Sequence, residues 1–157
     1  MRDLCLTGYQ LHELMDAVLA ADPSNRVKVK GHGLSMSPFI RDHNVIVLKP
    51  NTSDTQIKFG DIVAIFNKDQ TRILIHRVIG KNKNRILIKG DNNIRPDGWY
   101  SKQDVLGIVD GIIGKGLIFK YTPLVNIPAA IGSRTGLFNR ILFPVLKHLK
   151  KIILPHG

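Results

Sequence analysis

From Arg26 to Tyr121 the chain is a succession of short, β-branched runs separated by turn residues. The runs are VKVK at 27–30, VIVLK at 45–49, DIVAIF at 61–66, RILIHRVIG at 72–80, RILIK at 85–89 and VLGIVDGIIG at 105–114. Pro50-Asn51, Asn67-Lys68-Asp69, Asn82-Lys83-Asn84 and Gly90-Asp91-Asn92-Asn93 fall between them. Closely spaced short strands of this kind predict a mainly β fold, an antiparallel sheet that coils on itself or forms a partial barrel.

The flanks have a different texture. Leu11, Leu14, Met15, Val18 and Leu19 recur at helical spacing, with Thr7 as N-cap and Pro23-Ser24-Asn25 as the stop. They predict a short amphipathic helix over 8–20, packed on the core. Residues 122–135 carry Pro123, Pro128 and Gly132 and read as an irregular connection. Residues 136–155 read as a basic amphipathic helix that Pro144 kinks or divides. Leu137, Ile141, Leu142, Val145, Leu149 and Ile152 share one side of it, and Arg140, Lys147, Lys150 and Lys151 the other. That pattern suits a helix lying in a membrane interface, or one packed on its own domain. The expected organisation is thus 1–25, an N-terminal helix; 26–121, the β core; and 122–157, a connection and basic helix.

At 157 residues the chain suits one domain with a real hydrophobic core. Its 23 Lys and Arg against 12 Asp and Glu give a net charge of +11. Such a balance implies an anionic partner or plain solubility, and an anionic membrane surface met by residues 136–155 is the partner it suggests. Aromatic residues are only 6% and do not interleave with basic ones along the strands, so nucleic acid is not expected. Cys5 is the single cysteine, which excludes an intramolecular disulfide. No His/Cys spacing resembles a zinc site, so neither metal nor cofactor is expected. Asp3 stands where a signal peptide needs positive charge, and no run reaches the roughly 18 apolar residues of a membrane-spanning helix. The expected location is cytoplasmic or peripherally membrane-associated.

Chemistry concentrates in three segments. In Gly31-His32-Gly33-Leu34-Ser35-Met36-Ser37-Pro38, glycines before a serine allow unusual backbone angles and the approach of a substrate. A serine hydroxyl is a weak nucleophile unless a base takes its proton, and alone such a serine is usually a turn residue. Of six histidines, His76 stands apart because it sits inside the apolar strand Ile73–Ile79, where a polar ring must find a partner. Lys89-Gly90-Asp91-Asn92-Asn93-Ile94-Arg95-Pro96-Asp97-Gly98 puts two carboxylates in one loop. Either Asp91 or Asp97 can accept an imidazole N–H and fix its tautomer, or both can serve an Asx-rich turn.

Together these segments resemble the type I signal peptidases. Ser35-Met36-Ser37-Pro38 resembles their Ser-Met-x-Pro box, and Gly60-Asp61-Ile62-Val63 their Gly-Asp-[Ile/Val]-Val box. His76-Arg77-Val78 is similar to the His-Arg-Val of the endoplasmic-reticulum and archaeal enzymes, where bacterial ones carry Lys-Arg-Val. Gly90-Asp91-Asn92-Asn93 with Asp97 resembles the acidic box of the endoplasmic-reticulum type, and Asp104-Val105-Leu106-Gly107 the segment that closes the family core. The resemblance implies a serine endopeptidase acting on a peptide or leader-like sequence. It assigns Ser35 as nucleophile, His76 as general base and Asp97 as the acidic third member. Asp91, Gly33, Met36, Pro38, Arg77, Gly90 and Asn92 would support the site. Gly33 stands where many members have a second oxyanion donor, so that donor must come from elsewhere or the oxyanion hole is weaker. The chain reads as a near-minimal core in which an amphipathic helix replaces the usual transmembrane anchor.

Two alternatives have distinct signatures. A self-cleaving regulator of the SOS-repressor type shares this peptidase fold but uses a lysine base, and the 25 residues before the first strand are too few for a helix-turn-helix domain. An inactive membrane- or peptide-binding module would not need the Ser35, His76 and Asp97 set.

Overall fold

The computed structural model describes residues 8–22, 25–69, 72–114, 117–137 and 144–145. Helix α1 (Gly8–Ala21) precedes the strands β1 (Val27–Lys30), β2 (Val45–Pro50), β3 (Ile62–Phe66), β4 (Ile73–Lys81), β5 (Arg85–Lys89), β6 (Gly98–Ser101), β7 (Val105–Gly114) and β8 (Leu117–Lys120). Helix α2 (Pro123–Thr135) follows. The strands make one antiparallel sheet in the order β1-β2-β7-β3-β4-β5-β6, with β8 also on β7. Its ends, β1 and β6, do not pair with each other, so the mainly β sheet coils without closing.

The coil follows from the sequence of β3. Its IVAIF run is apolar at every position, and four of the five residues are buried. A strand covered on one face alternates; one covered on both reads as a continuous apolar run. Ile62 and Ala64 join a core with Met36, Ile46, Leu48 and Leu106. Val63 and Ile65 join a second core with Val78, Ile86, Ile88 and Tyr100. Register shifts at Val47/Leu48, Ala64/Ile65 and Val78/Gly80 bend the strands so that one sheet wraps both cores.

The N-terminal helix forms where the apolar spacing places it, and Val18 packs against the first core. Thr7, its expected cap, lies outside the described residues, as does most of the helix expected over 136–155.

One expectation is corrected. Residues 123–135, expected to be irregular, are α2. Pro123 sits at the first helical position, where its fixed φ helps and its missing N–H is no loss. Pro128 removes the amide partner of the Leu124 carbonyl, but Leu124 is 87% exposed and water can serve instead. Gly136, at φ 72, ends the helix in the left-handed conformation that glycine adopts readily.

Polar bonds, most of them buried, hold α2 on β4 and β5. Lys89 Nζ donates to the Ser133 carbonyl at 2.8 Å and to Ser133 Oγ at 3.3 Å. Arg77 Nη1 donates to Asn126 Oδ1 at 3.4 Å, and Arg134 Nη1 to the Ile79 carbonyl at 3.4 Å. The helix comes so close that a Cβ on Gly60 would stand 2.9 Å from the Asn126 carbonyl oxygen. Burial pushes the Lys89 ammonium below the usual lysine range, against the pull of Asp91 and Asp97.

Candidate functional site

The loop that carries Ser35 joins β1 to β2, and both its ends are fixed. The Gly31 N–H donates to the Asn44 carbonyl at 2.8 Å, and the His43 N–H to the Gly31 carbonyl at 3.0 Å. Met36 is an anchor, 4% exposed within the first core. The Ser37–Pro38 peptide is cis. Gly33 has φ 89, a conformation that favours glycine, and its N–H donates to Asp42 Oδ1 at 3.0 Å.

The loop from Gly90 to Asp97 clasps the other side of Ser35. The Asn92 N–H donates to the Ser35 carbonyl at 2.7 Å, and Asn92 Nδ2 to the Leu34 carbonyl at 3.1 Å. Gly90 must be glycine for this approach, since a Cβ there would lie 2.8 Å from the Ser35 carbonyl oxygen. These bonds fix the backbone on both sides of Ser35 and leave its side chain to turn toward β4.

His76 reaches Ser35 from β4. Its Nε2 lies 3.0 Å from Ser35 Oγ, and its Nδ1 lies 2.8 Å from Asp97 Oδ2. Asp97 is held in turn by its own N–H, which donates to the Ile88 carbonyl at 3.0 Å. An imidazole that donates its Nδ1–H to a carboxylate presents the Nε2 lone pair to the hydroxyl. The ring is buried and Asp97 partly so, which weakens competition from water for either bond. The arrangement can take a proton from Ser35 and hold it as an imidazolium beside Asp97.

Asp91 goes elsewhere. Arg77, the residue after His76, points to the opposite face of β4 and meets Asp91 in a forked pair, Nε to Oδ1 at 2.9 Å and Nη2 to Oδ2 at 2.8 Å. Both side chains are fully buried. Arg77 Nη1 also donates to the Gly60 carbonyl at 3.0 Å, and the Phe39 ring lies 5.2 Å from the guanidinium carbon. The sequence left Asp91 and Asp97 as alternatives for the imidazole; the geometry gives His76 to Asp97 and Arg77 to Asp91.

The remaining boxes shape the scaffold. Asp61 Oδ2 accepts the Lys58 N–H at 2.7 Å, while burial pushes its carboxyl above the usual range. Asp104 Oδ2 accepts the Ser101 N–H at 3.1 Å and starts the turn into β7. Sequence reasoning missed Asn126, Lys89 and the Tyr121 hydroxyl, which donates to the Phe39 carbonyl at 3.2 Å. Buried lysine and asparagine leave no periodic signal, although the arginine of the His-Arg-Val box did carry one.

Fold and site define a mainly β protein in which a loop serine, a strand histidine and a loop aspartate form one hydrogen-bonded chain. No family model matches this sequence. The chain is similar to the signal peptidase complex catalytic subunit SEC11 of Leptosphaeria maculans, with 34% identity over 109 residues. The match covers 60% of this chain and 61% of that protein, so the chain spans about three fifths of the length of its relative. The signal-peptidase resemblance read from the five boxes is borne out by this likeness.

Proposed function

We propose that the chain is a serine endopeptidase that cleaves a peptide or leader-like segment of a protein through an acyl-enzyme. The observation that carries this reading is the continuous chain Asp97–His76–Ser35, with links of 2.8 and 3.0 Å. Ser35 Oγ attacks the peptide carbonyl as His76 Nε2 takes its proton. Asp97 holds the ring and stabilises its charge. His76 then gives the proton to the leaving amine, and a water activated by the same ring releases the acyl group. Among the described residues the Ser35 N–H makes no backbone hydrogen bond, which leaves it available to the developing oxyanion. Leu34 and Ile94, both exposed beside Ser35 in sequence or in the clasping loop, offer apolar surface to the substrate.

The likeness to a protein named as a signal peptidase subunit supports peptide processing in particular. A resting place on an anionic membrane surface fits the basic, apolar residues 136–155. Leu124, Ile127 and Ile131, exposed on α2 just before them, extend that apolar character. No helix among the described residues is long and apolar enough to cross a membrane.

The test is cleavage of a mixed peptide library, read by mass spectrometry, by wild type, Ser35→Ala and His76→Ala. Wild type alone should cleave, with losses on the order of 10^6-fold in the folded variants. Cleavage that survives Ser35→Ala would defeat the assignment.

A further inference from the structure

Outside the Ser35 chain, the described residues bring one set of three metal-ligating side chains together: His32, Asp42 and His43. Their linear spacing matches no zinc pattern, so only the fold reveals them. The loop creates the cluster by pinning Gly31 to His43 and Asn44 through the backbone bonds described above. His43 adopts φ 64, left-handed backbone that non-glycine residues seldom use, and this sets its ring beside that of His32. The two rings stand perpendicular, 5.7 Å between centroids.

The donor atoms are near coordination spacing. Asp42 Oδ2 lies 3.1 Å from His43 Nε2, Asp42 Oδ1 lies 4.0 Å from His32 Nδ1, and all three ligand atoms fall within 4.8 Å of one another. Ligands bonded tetrahedrally at zinc distances stand about 3.3 Å apart. Asp42 Oδ2 and His43 Nε2 are already at that spacing, and rotation of the exposed Asp42 and His32 side chains brings the other pairs, now within 4.8 Å, toward it. The Gly33 N–H first of all holds the Asp42 carboxyl below its usual range.

Two imidazole nitrogens and one carboxylate oxygen suit a borderline ion such as Zn2+ or Co2+. They do not suit Mg2+ or Ca2+, which prefer all-oxygen sites. We propose that His32, Asp42 and His43 form a binding site for a divalent transition-metal ion of the zinc type on the outer face of the Ser35 loop. Water completes the coordination, because all three residues face solvent. Asp42 Oδ1 also accepts the Gly33 N–H, two residues before Ser35, so a bound ion braces the backbone that carries the serine.

The test is calorimetric titration of the full chain with Zn2+ at neutral pH, repeated with Co2+ read by its visible absorption. Wild type should bind one ion. The double variant His32→Gln, His43→Asn keeps polar side chains and an asparagine at the left-handed position, so its circular dichroism should match wild type. Its affinity should fall at least roughly tenfold. His76→Ala, and separately His148→Ala with His156→Ala, should bind as wild type does. Absence of binding by wild type would overturn the site. So would undiminished binding by the His32/His43 variant, or loss of binding in either control.

Discussion

Consecutive residues of β4 each pair with an aspartate of the same loop, and the two pairs do opposite things. Arg77 and Asp91 are sealed from solvent, and the guanidinium is spent on Asp91, Gly60 and Asn126. Arginine stays protonated at any accessible pH, so this pair fixes geometry and exchanges nothing. His76 and Asp97 leave one ring nitrogen for the Ser35 hydroxyl, and an imidazole, unlike a guanidinium, can take up a proton and give it back. One loop thus supplies a rigid anchor through its first aspartate and an exchangeable contact through its second. The lesson is that the identity of the strand residue and the degree of sealing, rather than the carboxylate, decide what an aspartate does.

Replacing Asp97 by Asn strikes the exchangeable pair hardest. The amide can favour the wrong imidazole tautomer, and turnover should fall roughly 10^4-fold while thermal unfolding shifts little. Peptide cleavage kinetics with a parallel melt checks this. A much larger loss of turnover at Asp91→Asn than at Asp97→Asn, with both folded, would reverse the comparison.

Asp91→Asn should act on stability first. An Arg77 charge left buried without its carboxylate costs about 3–5 kcal/mol, which denaturant unfolding would register. The double variant Arg77→Met, Asp91→Leu should recover most of that loss, because an apolar pair needs no solvation. If the double variant is as unstable as the single one, the bonds from Arg77 to Gly60 and Asn126 matter more than the ion pair.

The smallest effect concerns the support behind Arg77. Burial pushes the Tyr121 hydroxyl up to about 12 from a usual value of 10.0, with Arg77 pulling the other way. Across that window the unfolded chain has released a proton that the folded chain still holds. Stability contributed by Tyr121 is therefore complete below the lower value and declines as pH rises toward the upper one. Tyr121→Phe should remove this alkaline slope, together with the bond to Phe39, when unfolding is measured from pH 9 to about 12.

Much of this was legible before any coordinates. The runs at 27–30, 85–89 and 105–114 are strands with the same bounds, because turn residues stop them sharply. Ser35, His76 and Asp97 lie in one hydrogen-bonded chain. Other features were hidden for identifiable reasons. Pro123 and Pro128 look like breakers in a string of letters, yet one starts α2 and the other sits where water replaces its lost bond. Gly98 closes an acidic loop in the sequence but opens β6 in the fold, at φ 122. The partners of Lys89 lie 44 residues away on a helix that the pattern had not predicted, so no local reading could supply them.

The contact between α2 and the sheet also defines the shortest piece of this chain that can stand alone. A truncation at Tyr121, where the β-rich texture stops, would discard Asn126 and Ser133 and strip acceptors from two buried cations. The flat surface at Gly60, shaped to receive the helix backbone, would face water. A self-sufficient fragment must therefore extend to Gly136, and a stop codon well past the final strand would loosen the anchor on β4 behind His76 and Ser35 without touching either residue.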